Sequence, residues 1–225
     1  MGSPVELRIL VVCAANQCRS RVAEAVLRHE LRHHPGITIT SAGTRVMQPQ
    51  PMCADAHRFL TRHAPSAHVE ATTPAERLTS DHLTQADLVL VMDRTIRAEV
   101  VALDADARKR TYAMRDAAGA AQYLLDQQLV HRARIAHAQG HPYLSGMVDG
   151  QQRLIAETLK PRHEADWLQR ELAAAMGLRP ISHEGSDIRD AHEGRFVRHA
   201  PILSAVLEAC TPVSRLLEQI AESDA

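Results

Sequence analysis

The chain has 225 residues, 45% of them hydrophobic and 3% aromatic, with 26 basic and 27 acidic side chains and a formal net charge of −1. Length and hydrophobic content suit one globular domain, residues 1–225, with a real core. The balanced charge gives no case for nucleic acid or a basic membrane surface, and so few rings leave nothing for base stacking.

Leu7 to Val12 (LRILVV) is a short β-branched run, the pattern of a buried parallel strand. From Ser20 the spacing becomes helical and runs to about His34, before Pro35-Gly36 stops it. Ile37 to Ser41 alternates as a second strand, and Ala42-Gly43-Thr44 is a turn. A helix is expected from about Asp55 to His63, and another beginning near Ser80. Ala86 to Met92 (ADLVLVM) is the clearest strand, followed by a helix over Thr95 to Leu103 and a short fourth strand over Arg110 to Met114. Residues 117–178 are rich in Ala, Gln, Leu, Arg and His and read as a helical insertion. It is broken at Gly140-His141-Pro142 and Lys160-Pro161. A last helical region, Phe196 to Ile220, is expected to be interrupted by Pro201 and kinked or split at Pro212. The β-α-β, helices, β-α-β order predicts an open α/β fold built on a parallel sheet.

The four cysteines are Cys13, Cys18, Cys53 and Cys210. They form no disulfide framework and no paired zinc motif. The histidines show no ligand spacing beside a carboxylate, so no metal is expected. No signal peptide is evident and no apolar run reaches membrane-spanning length, so a cytoplasmic protein without a membrane partner is the default.

Between the first strand and first helix lies Cys13-Ala14-Ala15-Asn16-Gln17-Cys18-Arg19-Ser20. At a helix start the backbone N–H groups lack partners and the dipole is positive, a setting that binds phosphate-like anions. With the spacing Cys-x5-Arg the loop can curl around an oxyanion while Arg19 forks onto two of its oxygens. The same field favours the thiolate of Cys13, and a thiolate beside a bound phosphoryl group suits nucleophilic attack on phosphorus. Ser20 can hydrogen-bond the sulfur.

VVCAANQCRS resembles the signature of the low-molecular-weight protein-tyrosine phosphatases, V-C-x-G-N-x-C-R-S-P. Three further stretches resemble that family in the same order: Ser41-Ala42-Gly43-Thr44, the Asp87 to Arg94 run DLVLVMDR, and Asp187-Ile188-Arg189-Asp190, similar to its D-I-x-D-P segment. The resemblance covers about residues 5–116 and 180–222. It implies a three-layer sandwich around a four-stranded parallel sheet, with the phosphate-binding loop after the first strand and residues 117–178 as the extra helical insertion. It implies phosphomonoester hydrolysis through a phosphocysteine, on phosphotyrosine proteins by family default, with no cofactor and no metal. Cys13 is then the nucleophile, Arg19 the phosphate-binding arginine and Asp190 the general acid. Residues 14–20 hold the phosphate, Asn16, Ser20 and Ser41 support the loop, and Asp93 either orients loops or caps the helix at Thr95.

Several positions depart from the pattern. Ala15 replaces a glycine, which matters only if that residue needs positive φ. Arg21 replaces a proline and adds positive charge near the anion site. Ala191 replaces the proline after the acid and leaves Asp187 as a competitor to Asp190. The usual aromatic wall residues are missing. Met47, Asp187 and His192 could line a substrate pocket, or Met47 could be core filler and His192 a solvated loop residue. Cys18 could capture an oxidised Cys13 as a disulfide, or be a small buried residue. The missing rings leave a second substrate class open, a small phosphorylated metabolite such as a sugar or nucleoside phosphate. Arsenate reduction and a catalytically silent phospho-binding protein rank lower.

Overall fold

The computed structural model describes residues 6–67, 70–126, 168, 172–173, 187–190, 192 and 198–222. Four parallel strands, β1 (Leu7–Cys13), β2 (Ile37–Gly43), β3 (Leu88–Val91) and β4 (Thr111–Ala113), form one sheet in the order β2-β1-β3-β4. Around it lie α1 (Arg19–Glu30), α2 (Ala54–His63), α3 (Ser80–Gln85), α4 (Arg94–Leu103), α5 (Met114–Asp126) and α6 (His199–Glu222), with a 3-10 turn over Ala105–Arg110.

The alternation of β1 explains the layering. Leu7, Ile9, Val11 and Cys13 point into a core shared with residues of α1, α2, α5 and α6, while Leu10 and Val12 point into a second core with Leu83, Ile96 and Val100. Both faces of the sheet are covered, so its strands carry apolar residues almost without interruption. Each fully buried Leu or Val contributes about 1.5–3 kcal/mol relative to exposure. The strand order reverses at β1, with β2 on one side and β3 on the other. In such sheets the crevice beyond the carboxyl ends of the strands at that reversal is where ligands bind, and the loop after Cys13 lies there.

Several boundaries differ from expectation. α1 stops at Glu30 rather than His34, with Leu31 as its C-cap bonding back to Leu27. α5 leaves β4 without a loop and buries Met114, Ala117, Ala118, Ala120, Ala121 and Leu124. Its alanine face lets α6 approach closely, so residues 117–126, expected within the insertion, form a core helix. The rest of that insertion, with its expected breaks at Gly140-His141-Pro142 and Lys160-Pro161, lies outside the described residues except for Leu168, Leu172 and residue 173.

The C-terminal helix is neither interrupted at Pro201 nor split at Pro212; α6 is continuous over both. Pro201 falls in the first turn, where its missing N–H has no intrahelical partner anyway. Pro212 removes one mid-helix bond, but Leu203, Val206, Ala209, Cys210, Val213, Leu216, Leu217 and Ile220 are all buried along the helix, and that burial outweighs one lost bond. By length and composition α6 would suffice to cross a membrane, contrary to the reading that no run does. Its apolar face packs in the core shared with α1 and α5.

Candidate active site

Cys13 closes β1, and the chain then turns through residues 14–18 into α1. The turn demands one left-handed residue. Asn16 supplies it at φ 52°, the only non-glycine with positive φ among the described residues. Asparagine tolerates that region better than most side chains. Ala15 is therefore not at positive φ, and its replacement of glycine carries no backbone penalty.

Asn16 is buried and satisfies its whole amide. Its Nδ2 donates to Ser20 Oγ at 2.9 Å and Ser41 Oγ at 2.8 Å, and its Oδ1 accepts from the Glu76 N–H at 2.8 Å. Ser41 Oγ in turn donates to Glu24 Oε2 at 2.6 Å. Glu24, also buried, is held by Arg28 at 2.9 Å and Arg21 at 3.8 Å. Ser20 Oγ accepts from Asn16, so its own proton is free for Cys13 Sγ, 3.0 Å away. The Asn16 N–H also donates to that sulfur, at 3.2 Å. The Ser20 hydroxyl and the Asn16 N–H thus both meet Cys13 Sγ at the N-terminus of a twelve-residue helix.

Gly43 backs the turn. A Cβ there would stand 2.6 Å from the Ala14 carbonyl oxygen and 2.8 Å from the Asn16 nitrogen. The next two residues clamp the loop edge, the Thr44 N–H donating to the Cys13 carbonyl at 3.0 Å and that of Arg45 to the Ala14 carbonyl at 2.8 Å.

Arg19 is almost completely buried. Its Nη1 donates to the Ile188 carbonyl at 2.8 Å and to Asp93 Oδ2 at 3.2 Å, and its Nη2 to Asp190 Oδ2 at 2.5 Å. Asp93 uses both of its oxygens. One oxygen meets Arg19, and the other caps α4 by accepting from the Ile96 N–H at 2.8 Å. Asp187 faces elsewhere, accepting from the Arg94 N–H at 2.9 Å and from its guanidinium at 3.2 Å. Of the two aspartates, Asp190 stands at the loop arginine and Asp187 at the start of α4.

Arg21 does not add free charge to the loop. It is buried, bonded to the Glu70 carbonyl at 3.2 Å and paired with Glu24. Met47 is 91% exposed and is not core filler. His192 lies exposed in a turn, as a solvated loop residue would, yet its Nε2 lies 3.0 Å from Cys18 Sγ and its ring meets His199 edge-on. Cys18, the N-cap of α1, is the small buried residue of one reading and is not paired with Cys13. It is bonded to Cys53, the N-cap of α2, with Cα atoms 5.9 Å apart. Cys13 is free. Cys53 was legible in the sequence as a cysteine but carried no local signal of a partner 35 residues away. Glu24 likewise reaches the loop network only through a tertiary contact, from Ser41, and Gly43 only by lying against residues 14 and 16.

Residues 8–125 match the family described as low molecular weight phosphotyrosine protein phosphatase, which places residues 117–125 inside the family's own span. The chain is 36% identical over 92 residues to the probable low molecular weight protein-tyrosine-phosphatase EpsP of Ralstonia nicotianae, covering 41% of this chain and 59% of that protein. It is 34% identical over 103 residues to the low molecular weight protein-tyrosine-phosphatase Etp of Escherichia coli K12, covering 46% and 66%. The chain thus spans less than two thirds of the length of either relative. Its fold is similar to that of the YwlE arginine phosphatase of Geobacillus stearothermophilus, with a TM-score of 0.56 at 19% identity over 95% of this chain and 94% of that one.

Proposed function

The chain belongs to the low molecular weight phosphotyrosine protein phosphatase family, and on that footing we propose that it hydrolyses phosphomonoesters through a phosphocysteine on Cys13. The observation that carries this reading is the convergence of Ser20 Oγ and the Asn16 N–H on a free Cys13 sulfur, in the turn that leads into α1 and its buried Arg19.

The chemistry follows from the parts. The Cys13 thiolate attacks phosphorus; an S–P bond forms as the ester P–O bond breaks. Asp190 gives its proton to the departing oxygen. Arg19 forks onto equatorial oxygens of the phosphoryl group, and the loop cradles the charge that builds in the transition state. Water then attacks the phosphocysteine, Asp190 takes its proton, and Ser20 donates to the sulfur as it leaves. To engage the phosphoryl group, Arg19 gives up at least part of its contact with Asp190, which frees that carboxyl group for proton transfer.

The proposed partner is a phosphorylated protein, with phosphotyrosine as the leading substrate, in a reducing cytoplasm that keeps Cys13 a thiol. One observation favours a second reading, a small phosphorylated metabolite. The described rings of Phe59, Tyr112 and Tyr123 belong to the core, and the exposed residue two positions beyond the clamp at Arg45 is Met47, not an aromatic.

Hydrolysis of an aryl phosphate by the full chain tests the reaction. It should be readily measured, fall to background in Cys13→Ser, and yield a phosphocysteine trapped by acid quench. Activity that survives Cys13→Ser removes the proposal. A panel of phosphotyrosine peptides against sugar and nucleoside phosphates then decides between the substrate classes by kcat/KM.

A further inference from the structure

Beside the loop, four soft or imidazole donors from distant parts of the chain meet. Cys18 ends the loop, Cys53 starts α2, His192 follows Asp190 by two residues, and His199 opens α6. Their Sγ and ring nitrogen atoms all lie within 4.8 Å of one another. His192 Nε2 is 3.0 Å from Cys18 Sγ, and the two imidazole rings meet at 4.9 Å and 78°.

Three details go beyond proximity. His199 Nε2 is buried with no hydrogen-bond partner among the described residues, an expensive condition for a polar atom unless something binds it. Its other nitrogen, Nδ1, faces Asp55 Oδ2 at 3.5 Å. A carboxylate behind a histidine, orienting the ring and fixing the tautomer, is the usual outer partner of a ligating imidazole. Third, Cys18 and Cys53 are both helix N-caps, and Cys53 Sγ already accepts from the Ala56 N–H at 3.4 Å. Helix N-termini favour thiolates.

We propose that Cys18, Cys53, His192 and His199 form a four-coordinate Zn2+ site, filled when the Cys18–Cys53 bond is reduced. Two thiolates and two imidazoles are the donor set that suits zinc. Zinc bonds of about 2.3 Å to sulfur and 2.0–2.1 Å to nitrogen place tetrahedral ligand atoms roughly 3.3–3.8 Å apart, so the histidine nitrogens need only small adjustments. The sulfurs must separate. A dithiol reductant supplies the two electrons that cleave the S–S bond, leaving two thiols here and a disulfide on the reductant. Zn2+ then displaces both thiol protons. Disulfide and metal are thus alternative states of one pair of sulfurs. The exposure of His192 leaves an entry path.

The site would pin four segments together. The His192 N–H donates to Asp190 Oδ1 at 3.0 Å, so a ligated His192 also holds the turn that carries Asp190. That consequence rests on the phosphatase reading; metal binding itself does not.

The experiment is cobalt titration of the full chain, stripped with chelator, reduced with a phosphine and kept anaerobic. One equivalent of Co2+ should give a near-ultraviolet thiolate-to-cobalt charge-transfer band with the intense visible bands of four-coordinate cobalt, and Zn2+ should displace it. The oxidised protein should give no charge-transfer band. Cys53→Ser should lose about half the charge-transfer intensity, His192→Ala should weaken binding sharply, and Asp55→Asn should weaken it by about 10–100-fold. Cys13→Ser should leave the spectrum unchanged. Because His192 is exposed, its variant folds even if Cys53→Ser does not. No charge-transfer band in the reduced protein, a band equal in the oxidised protein, a band lost in Cys13→Ser, or affinity indifferent to His192→Ala would each overturn the proposal, whatever the phosphatase assay shows.

Discussion

Asp190 Oδ2 lies 2.5 Å from Arg19 Nη2, so that a carboxylate and a buried guanidinium satisfy each other at the mouth of the loop. An oxyanion bound by Arg19 competes with that carboxylate for the same donor. Asp190→Asn removes the competing charge and the acid together. It should lower kcat on an aryl phosphate by about 10²–10⁴-fold while tightening inhibition by inorganic phosphate. Steady-state kinetics with phosphate as competitor checks both at once. A variant that loses activity and binds phosphate more weakly would show that Asp190 only holds the arginine in place. Asp187→Asn, which loosens only the start of α4, should change kcat far less.

Ser20 is the last link in a chain of donors that runs from Asn16 to Cys13 Sγ. In Ser20→Ala the sulfur anion keeps the Asn16 N–H and loses the hydroxyl. Alkylation of Cys13 by iodoacetamide at neutral pH should slow by about 10–100-fold, given about 1.5–3 kcal/mol for a hydrogen bond to a charged group. The second-order alkylation rate, followed by mass spectrometry at Cys13, reads this directly. An unchanged rate would mean the hydroxyl faces another acceptor.

Gly43 has no room for a side chain, because its Cβ would meet the Ala14 carbonyl and the Asn16 nitrogen inside 3 Å, both backbone atoms that cannot swing away. Gly43→Ala should destabilise the fold by about 1–3 kcal/mol and reduce kcat by displacing the loop. Urea unfolding checks the first effect and aryl phosphate turnover the second.

Tyr112 gives an alkaline dependence that is separate from catalysis. Burial pushes its hydroxyl up from 10.0 to about 12, with the positive charge of Arg97 pulling the other way; the hydroxyl donates to the Lys109 carbonyl at 2.8 Å. The folded state therefore keeps a proton that the unfolded chain releases. This stabilisation is complete below pH 10 and is lost as pH rises from 10 through about 12. The total is about 2–3 kcal/mol, with a slope near 1.4 kcal/mol per pH unit. Tyr112→Phe should flatten that decline, at a cost of about 1 kcal/mol near neutrality for the lost hydrogen bond. Unfolding midpoints across pH 8 to 11.5 for both proteins measure it.

What could be read along the chain were the features whose cause is local. LRILVV is a strand on both readings, and the LVLV at the centre of ADLVLVM is too, because a strand buried on both faces is almost wholly apolar. Cys13 to Ser20 could be placed between a strand and a helix because the hydrophobic period changes there. Asn16, Ser20, Asp93 and Asp190 follow from their order in a motif, and the fold gathers each within hydrogen-bonding reach of Cys13 or Arg19. Pro212 misled because the rule for proline in a helix weighs one backbone bond, whereas the apolar face of α6 is held by many side chains.

The sequence by itself determined the parallel sheet, the turn between the first strand and first helix and the residue types that fill it, since periodicity, helix-start chemistry and Cys-x5-Arg spacing act over a few residues. Only the tertiary structure decided which aspartate meets Arg19, why residue 43 must be glycine, and that Cys18 faces Cys53, His192 and His199 rather than Cys13. Those are contacts between segments from tens of residues to 174 residues apart, and no local spacing records a distance that only the packing of helices on a sheet creates.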